Sequence, residues 1–149
     1  MKKVLIANDH AGLTGKEIIK KTLDQMGIAY EDLGTNSEES VDYPDYAEQV
    51  ARRVASGEAD RGILVCGSGI GMEIAANKVP GIRAALAWNE ETAKLSRQHN
   101  DANIVTVGAR TTAPETIEQI IRAFFTTDFE GGRHSRRVEK IAKLDQQLK

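Results

Sequence analysis

Residues 62–71, GILVCGSGIG, decide the fold that this chain can adopt. Their first half is apolar throughout and predicts a strand at 62–66 that is covered on both faces, as the central strands of a parallel sheet are. Their second half alternates glycine with Ser68 and Ile70, which predicts a tight turn leading into a helix over 72–78. A buried strand that passes through a glycine turn into a helix indicates an α/β protein.

On both sides of this unit, predicted strands and helices alternate along the chain. Further short apolar or β-branched runs predict strands over residues 4–7, 28–33, 82–88 and 104–107. Apolar residues at helical spacing predict helices over residues 12–26, 46–55, 90–99, 114–125 and 135–148. The pattern predicts a single domain, residues 1–149, with a three-layer α/β/α Rossmann-like fold, a five-stranded parallel sheet and a C-terminal helix.

Composition narrows the class of protein. The chain has 149 residues, of which 40% are hydrophobic and 28% charged, and its formal net charge is -2. This balance favours one globular domain over a disordered chain, and it argues against a nucleic-acid partner. The single cysteine, Cys66, suits a reducing compartment, and the apolar run at 4–7 is too short for a signal or membrane segment. We therefore expect a cytoplasmic protein with no membrane partner.

Polar clusters follow the predicted strands, where open parallel sheets bind their ligands. Asn8, Asp9 and His10 follow the first strand, Cys66 ends the third, and residues 108–110 end the fifth. Residues 98–101, at the end of the helix before the fifth strand, are assigned to the same mouth. The sequence thus predicts one ligand site at a single edge of the sheet.

The glycine turn can expose backbone N–H groups, which cradle anions such as a phosphate or an enediolate. A P-loop would require Gly-Lys-Ser/Thr at its end, and this chain has Gly71-Met72-Glu73. A dinucleotide fingerprint would require glycine at Met72. Two alternatives stay open at this point, namely a structural turn without a ligand and a non-catalytic, flavodoxin-like nucleotide-binding module.

Cys66 stands at the junction of strand and turn. A strand cysteine is often an inert small hydrophobe. A thiol directed at a helix N-terminus instead favours the thiolate, because the helix dipole stabilises negative charge there. Such a thiolate could remove a proton from a carbon beside a carbonyl, or it could act as a nucleophile in a transferase or reductase.

The remaining candidates are two histidines and two arginines. His10 and His99 could move protons between oxygens, or they could be packed or surface imidazoles. Arg133 and Arg137 lie four residues apart and could clamp a phosphate, or they could form a solvated basic face. Cysteine and histidine do not occur at zinc-ligand spacings, so no metal is expected.

Seven segments, in the same order over nearly the whole chain, closely resemble the ribose-5-phosphate isomerase B and galactose-6-phosphate isomerase family. These segments are Asn8-Asp9-His10-Ala11-Gly12, Asp42-Tyr43-Pro44, Cys66-Gly67-Ser68-Gly69-Ile70-Gly71, Ala75-Ala76-Asn77-Lys78, Gly81-Ile82-Arg83, Ser96-Arg97-Gln98-His99-Asn100 and Gly131-Gly132-Arg133-His134. The resemblance implies an aldose–ketose isomerase of a sugar phosphate that needs no cofactor or metal. It also implies a homodimer or homotetramer whose sites are built across the dimer interface.

The resemblance assigns a role to each candidate. It implies that Cys66 carries the proton between C1 and C2, that His99 opens the furanose ring, and that Ser68 serves the substrate oxygens. It implies that substrate is bound by Asp9, His10, Gly67, Ser68, Gly69, Ile70, Gly71, Asn100, Arg110, Arg133 and Arg137.

The residues of the glycine turn and His99 refine the resemblance. One branch uses a glutamate in the glycine turn as the base, and that position is Met72 here, so the chain resembles the cysteine branch. Glu73, about 100° further round the helix, is a minor alternative base. Ser68 replaces a common threonine and keeps its hydroxyl. His99 favours ribose 5-phosphate as substrate, while galactose 6-phosphate, allose 6-phosphate or a tetrose phosphate remain alternatives.

Overall fold

A computed structural model describes residues 2–147, and its centre is a five-stranded, fully parallel sheet. The strands are β1 (Val4–Asn8), β2 (Tyr30–Asp32), β3 (Gly62–Cys66), β4 (Ala84–Leu86) and β5 (Ile104–Gly108). The helices are α1 (Leu13–Met26), α2 (Tyr43–Ala55), α3 (Ile70–Ala76), α4 (Glu90–Gln98), α5 (Pro114–Thr126) and α6 (Arg133–Gln147). The predicted alternation and the three-layer fold class are confirmed.

Side chains that alternate along the strands fill two separate cores, one on each face of the sheet. Val4 and Ile6 of β1 pack with α1, α4 and α5, whereas Leu5 and Ala7 pack with α2 and α3. Every residue of β3 is buried, which confirms that this strand is central. Cys66 belongs to the core beneath α2 and α3.

The strand order β2-β1-β3-β5-β4 places a topological switch point between β1 and β3. The chain leaves β1 towards β2 on one side and returns to β3 on the other, so the connections that follow β1 and β3 diverge. Such divergence opens a crevice at the carboxyl ends of the two strands. The polar residues after β1 and the glycine turn after β3 therefore face each other.

The edge strands are shorter than the sequence predicts. The strand predicted over 82–88 is reduced to Ala84–Leu86, and the one over 28–33 to Tyr30–Asp32. Each has a neighbour on one side only, so residues beyond the paired register do not join the ladder. The N–H of Arg83, for example, donates to the Oδ1 side-chain atom of Asn103 at 2.8 Å.

Three helices begin earlier than predicted. α2 begins at Tyr43 rather than at residue 46, because Pro44 suits the first helical turn. α3 begins at Ile70, inside the predicted turn, directly after Gly69 with its positive φ of 79°. α6 begins at Arg133 rather than at residue 135. The predicted end of the last helix, Leu148, lies outside the described residues.

Among the described helices, none combines the length and the apolar character needed to cross a bilayer.

A fully buried lysine ties α1 to β2. The Lys16 side chain is 0% exposed, its Nζ lies 3.0 Å from Oδ2 of Asp32, and it donates to the carbonyl of Thr35 at 2.7 Å. Burial by itself would raise the pKa of Asp32. The N–H of Gly34 and the ammonium groups of Lys20 and Lys16 outweigh burial, and the pKa of Asp32 is lowered.

We expect Lys16→Met to lower the free energy of unfolding by about 3–5 kcal/mol, because it removes a fully buried ammonium and leaves the Thr35 carbonyl and one side of the Asp32 carboxylate without that partner. Lys20 is a matched control, since its Nζ also lies 3.0 Å from Asp32 but its side chain is 25% exposed. Lys20→Met should cost about 1 kcal/mol or less. Denaturant unfolding at one protomer concentration measures both values. Equal losses in the two variants would contradict the assigned role of burial.

Candidate active site

A cavity of about 610 Å³ opens at the carboxyl ends of β1, β3 and β5. It brings together most of the residues predicted from the sequence. They are Asp9 and His10 after β1, Cys66, Gly67, Ser68, Ile70 and Gly71 around the turn after β3, and Arg110 after β5. This cavity is the candidate active site, and Gly69 lies in its turn beneath the lining residues.

Cys66 is 5% exposed and lines this cavity, so its sulfur is largely buried but not sealed off. The N–H of Gly69 donates to its Sγ at 3.1 Å, and this contact holds the sulfur against the glycine turn. The contact depends on the backbone of Gly69, whose φ is 79°. A Cβ at this position would lie 2.6 Å from Leu86 Cδ1 and 2.9 Å from the Val107 carbonyl carbon, so only glycine fits without strain.

The turn presents unpaired backbone donors to the cavity. The N–H of Gly69 is used by the Cys66 sulfur, and the N–H of Ile70 donates to Oγ of Ser68 at 3.3 Å. Within the described residues, no acceptor is found for the N–H groups of Ser68 and Gly71. Free amides beside a thiol are suited to stabilise an oxyanion that forms next to the reacting carbon.

Asp9 and His10 are both fixed by local hydrogen bonds. Oδ1 of Asp9 accepts from the N–H of Ala11 at 3.0 Å, which caps the short 3₁₀ turn after β1. Nδ1 of His10 accepts from the N–H of Val41 at 3.1 Å. A neutral His10 therefore carries its proton on Nε2, where it can donate to an oxygen of a ligand.

Arg110 supplies positive charge at the open side of the cavity. Its backbone N–H donates to the carbonyl of Gly67 at 3.0 Å, which anchors the residue beside the turn. Its Nη1 and Cδ atoms lie 3.6 Å and 3.5 Å from the place where a Cβ on Gly67 would stand, so the side chain extends over the turn. An exposed guanidinium beside free amides is suited to a phosphate group.

Sequence reasoning assigned no role to Tyr43 and Thr111, and both line the cavity. The Tyr43 ring packs against Gly71, where any Cβ would collide with it. Tyr43 belongs to the segment Asp42-Tyr43-Pro44, and an aromatic residue next to a helix-starting proline was the available signal. Thr111 could have been found only from its position beside Arg110.

The two positions in α3 that were considered for a glutamate base, Met72 and Glu73, both have structural roles. Met72 is fully buried in the core under α2 and α3. Oε2 of Glu73 accepts from the N–H of Leu86 at 2.6 Å, and Glu73 lines a different cavity. Glu73 thus supports β4 and does not contact the candidate site.

His99 and Asn100 do not reach this cavity within their own chain. They follow α4 and precede β5, and a connection into a parallel strand lies at the amino edge of the sheet. Asn100 accordingly lines the second cavity, beside the beginning of β4. The five residues of β5 separate the two edges by about 16 Å. Residues 98–101, which the sequence assigns to the shared mouth, therefore lie away from the cavity of their own chain.

Arg133 and Arg137 lie on α6 and are exposed. The connection before α6 is joined to the end of α4, since the N–H of Glu130 donates to the carbonyl of Gln98 at 3.1 Å. At the other end of α6, Oδ2 of Asp145 accepts from the N–H of Gly81 at 2.8 Å. Both anchors lie at the amino edge of the sheet, so these arginines are also away from the cavity of their own chain.

His99 instead belongs to a cluster with Glu130 and His134. The two imidazole rings stack with centroids 4.3 Å apart and planes inclined by 12°. Oε1 of Glu130 lies 3.9 Å from Nε2 of His99 and 3.5 Å from Nε2 of His134. One potential ligand atom from each residue falls within 4.8 Å of the others, so the fold forms a His–Glu–His group that the spacing of these residues did not predict.

Comparisons with known proteins show a family and several similar structures. Residues 4–141 match the model of the family described as Ribose/Galactose Isomerase. Ribose-5-phosphate isomerase B of Escherichia coli is 47% identical over 98% of this chain and 98% of its own length. The Clostridium thermocellum ribose-5-phosphate isomerase B structure has a TM-score of 0.96 at 46% identity, covering 99% of both chains.

A further solved structure carries a ligand. Mycoplasma genitalium ribose-5-phosphate isomerase B, with bound ribulose 5-phosphate, has a TM-score of 0.93 at 42% identity over 97% of both chains. The match extends over both edges of the sheet and includes the glycine turn and the start of α6. With a family model covering most of its length and relatives aligned almost from end to end, this chain belongs to the ribose/galactose isomerase family.

Proposed function

We propose that this protein interconverts ribose 5-phosphate and ribulose 5-phosphate, with Cys66 as the base, in a site that a second copy of the chain completes. The single observation that carries the chemistry is the contact of Cys66 Sγ with the glycine turn inside a cavity that also holds Asp9, His10 and Arg110. A base, free amide donors and a cation for phosphate are what an enediolate mechanism requires.

The proton transfer follows from the position of the sulfur. The Cys66 thiolate takes the proton from C2 of the open-chain aldose, and the electron pair moves through C1 to the carbonyl oxygen. The enediolate that forms faces the free N–H groups of Ser68 and Gly71. The Ser68 hydroxyl passes the proton of the C2 hydroxyl to the C1 oxygen, and return of the carbon-bound proton from Cys66 to C1 gives the ketose. One preorganised donor of this kind contributes about 3–4 kcal/mol in known enzymes.

The remaining groups of the cavity suit the sugar phosphate. Nε2–H of His10 and the guanidinium of Arg110 are the donors for phosphate oxygens. One oxygen of Asp9 is used by the N–H of Ala11, which leaves the other to accept from a sugar hydroxyl. The phosphate binds through these donors and the hydroxyls orient C1 and C2 against the sulfur.

A second copy of the chain would supply the site residues that each chain places at the amino edge of its sheet. The group proposed to open the furanose ring, His99, is not among the residues that line the cavity. It lies at the amino edge together with Asn100, Arg133 and Arg137. In a two-fold dimer, the amino edge of one protomer can face the cavity of its partner, so that the same contact forms twice. His99 of each protomer then opens the ring in the partner's cavity, Asn100 contacts the sugar, and both arginines bind the phosphate.

Exposed apolar side chains support this dimer. Ile74 and Trp88 are 58% and 62% exposed, and Ile74 lines the cavity. α6 carries Ile141 and Leu144 on its surface, and a helix of this length is marginal without packing of its apolar face. The proposed occupant of both surfaces is a second copy, since it would cover them while completing the two sites.

The preference for ribose 5-phosphate is supported by the relatives and by His99, because this substrate must be opened from a furanose. Galactose 6-phosphate, allose 6-phosphate and a tetrose phosphate are the competing substrates. A cytoplasmic location stays a prediction from the single cysteine and from composition.

The function is tested by kcat/KM of the purified protein, without added metal, on ribose 5-phosphate and the three competing sugar phosphates. We expect the highest kcat/KM on ribose 5-phosphate, ribulose 5-phosphate as product, and no covalent adduct on Cys66 in intact-mass spectra during turnover. Higher kcat/KM on another sugar phosphate would reassign the substrate. A thiol adduct would favour the nucleophile alternative, and co-purified nucleotide without turnover would favour the flavodoxin-like alternative.

A further inference from the structure

His99, Glu130 and His134 form a compact group near the surface of the protein. Its three residues come from the end of α4, the connection after α5 and the first turn of α6. The side chains of His99 and Glu130 are 40% and 51% exposed, whereas the side chain of His134 is only 11% exposed. One side of the His99 ring is therefore covered by His134, and the other remains open to a ligand.

A second set of contacts fixes the backbone that carries His99. The buried Arg97 donates from Nη1 to Oδ1 of Asp101 at 2.9 Å and to the carbonyl of Ala102 at 2.7 Å. Its Nε donates to the carbonyl of Thr127 at 3.2 Å, which joins the turn after α4 to the connection that bears Glu130. Asp101 has a positive φ of 48°, so the turn is held in a conformation that side chains rarely adopt.

We propose that Glu130 and His134 are positioning residues for His99: His134 holds the imidazole by stacking, and the Glu130 carboxylate stabilises its protonated form during ring opening. The inference rests on the proposed role of His99. In that step the C1 hydroxyl proton passes to the His99 imidazole, the C1–O4 bond breaks with its electron pair on O4, and the same proton passes to O4. The imidazole is cationic only in between.

The charges around the cluster match this assignment. Burial lowers the pKa of His134, and His99, Arg133 and Arg137 lower it further, while Glu130 partly opposes them. His134 thus stays neutral near pH 7, which avoids two stacked cations and leaves the transient charge to His99. The Glu130 carboxylate lies within 4 Å of both imidazoles, so its oxygen balances that charge against the arginines of α6.

The test separates ring opening from proton transfer. Ribulose 5-phosphate cannot form a furanose, because its O5 carries the phosphate, and exchange of its C1 protons in heavy water needs the base but not His99. We expect Glu130→Gln to lower kcat/KM on ribose 5-phosphate by about tenfold and to leave C1 exchange within about twofold of wild type. Glu139→Gln removes an exposed carboxylate from α6, the helix that carries His134, and should change neither reaction.

A second pair of variants tests the stacked ring. His134→Ala should lower kcat/KM on ribose 5-phosphate as Glu130→Gln does, and His134→Phe should restore much of it, because a flat ring is kept. Circular dichroism and gel filtration show that each variant is folded and assembled. An unchanged kcat/KM in Glu130→Gln, or an equal fall in both reactions, would overturn the inference. If wild type neither isomerises nor exchanges, it is the proposed function that fails.

Discussion

Cys66→Ala is expected to lower kcat for ribose 5-phosphate by about 10²–10⁴-fold, because a positioned proton acceptor contributes this much to such reactions. Exchange of the C2 proton of ribose 5-phosphate with heavy water should fall in parallel. The proposed phosphate donors, His10 and Arg110, are unchanged in this variant, so binding of inorganic phosphate should stay within about twofold of wild type. Loss of chemistry with retained binding would assign the sulfur to proton transfer.

The matched control for this variant is Glu73→Gln, since glutamate is the alternative base. Glu73 accepts a hydrogen bond from the N–H of Leu86 and lies outside the cavity, so its replacement should leave C2 exchange near the wild-type rate. Equal exchange in wild type and Cys66→Ala would remove the thiol from the mechanism. Loss of exchange in folded Glu73→Gln would move the base to α3.

Complementation in a hybrid dimer is expected to give the second large effect. Homodimers of Cys66→Ala and of His99→Asn should both be nearly inactive on ribose 5-phosphate. In the proposed dimer each site takes its thiol from one chain and its imidazole from the other, so one site of the hybrid receives both substitutions and the other receives neither. The hybrid should therefore recover about half of the wild-type activity per dimer.

Co-expression of the two variants with different affinity tags, followed by two affinity steps, isolates the hybrid. A hybrid of Cys66→Ala with Glu73→Gln controls for effects of the tags. Glu73 lies outside the candidate site, so this hybrid should also keep about half of the wild-type activity. If the thiol and the imidazole served one site within a chain, every site of the first hybrid would lack one of them. An inactive but folded hybrid would thus contradict the shared site.

Much of the fold follows from local sequence. The apolar run at 62–66 can be satisfied only by covering both of its faces, and the glycine turn after it requires the positive φ that Gly69 adopts. The edge strands were less predictable, because their ends depend on register with a single neighbour rather than on their own side chains. The exact starts of α2 and α3 were also missed, because they are set by the local turns at Pro44 and Gly69 rather than by the spacing of apolar residues.

The site divides along the same line. The sequence by itself determined the parallel α/β fold and the candidate site residues that follow β1, β3 and β5. These could be predicted because the residues that follow a strand in the sequence also lie at its carboxyl end in the fold. Only the tertiary structure decided that His99 and the α6 arginines lie at the opposite edge, and that His99 stacks on His134 beside Glu130. Those relations depend on strand direction and on packing between segments that are distant in sequence. The spacing of residues along the chain does not reveal either of them.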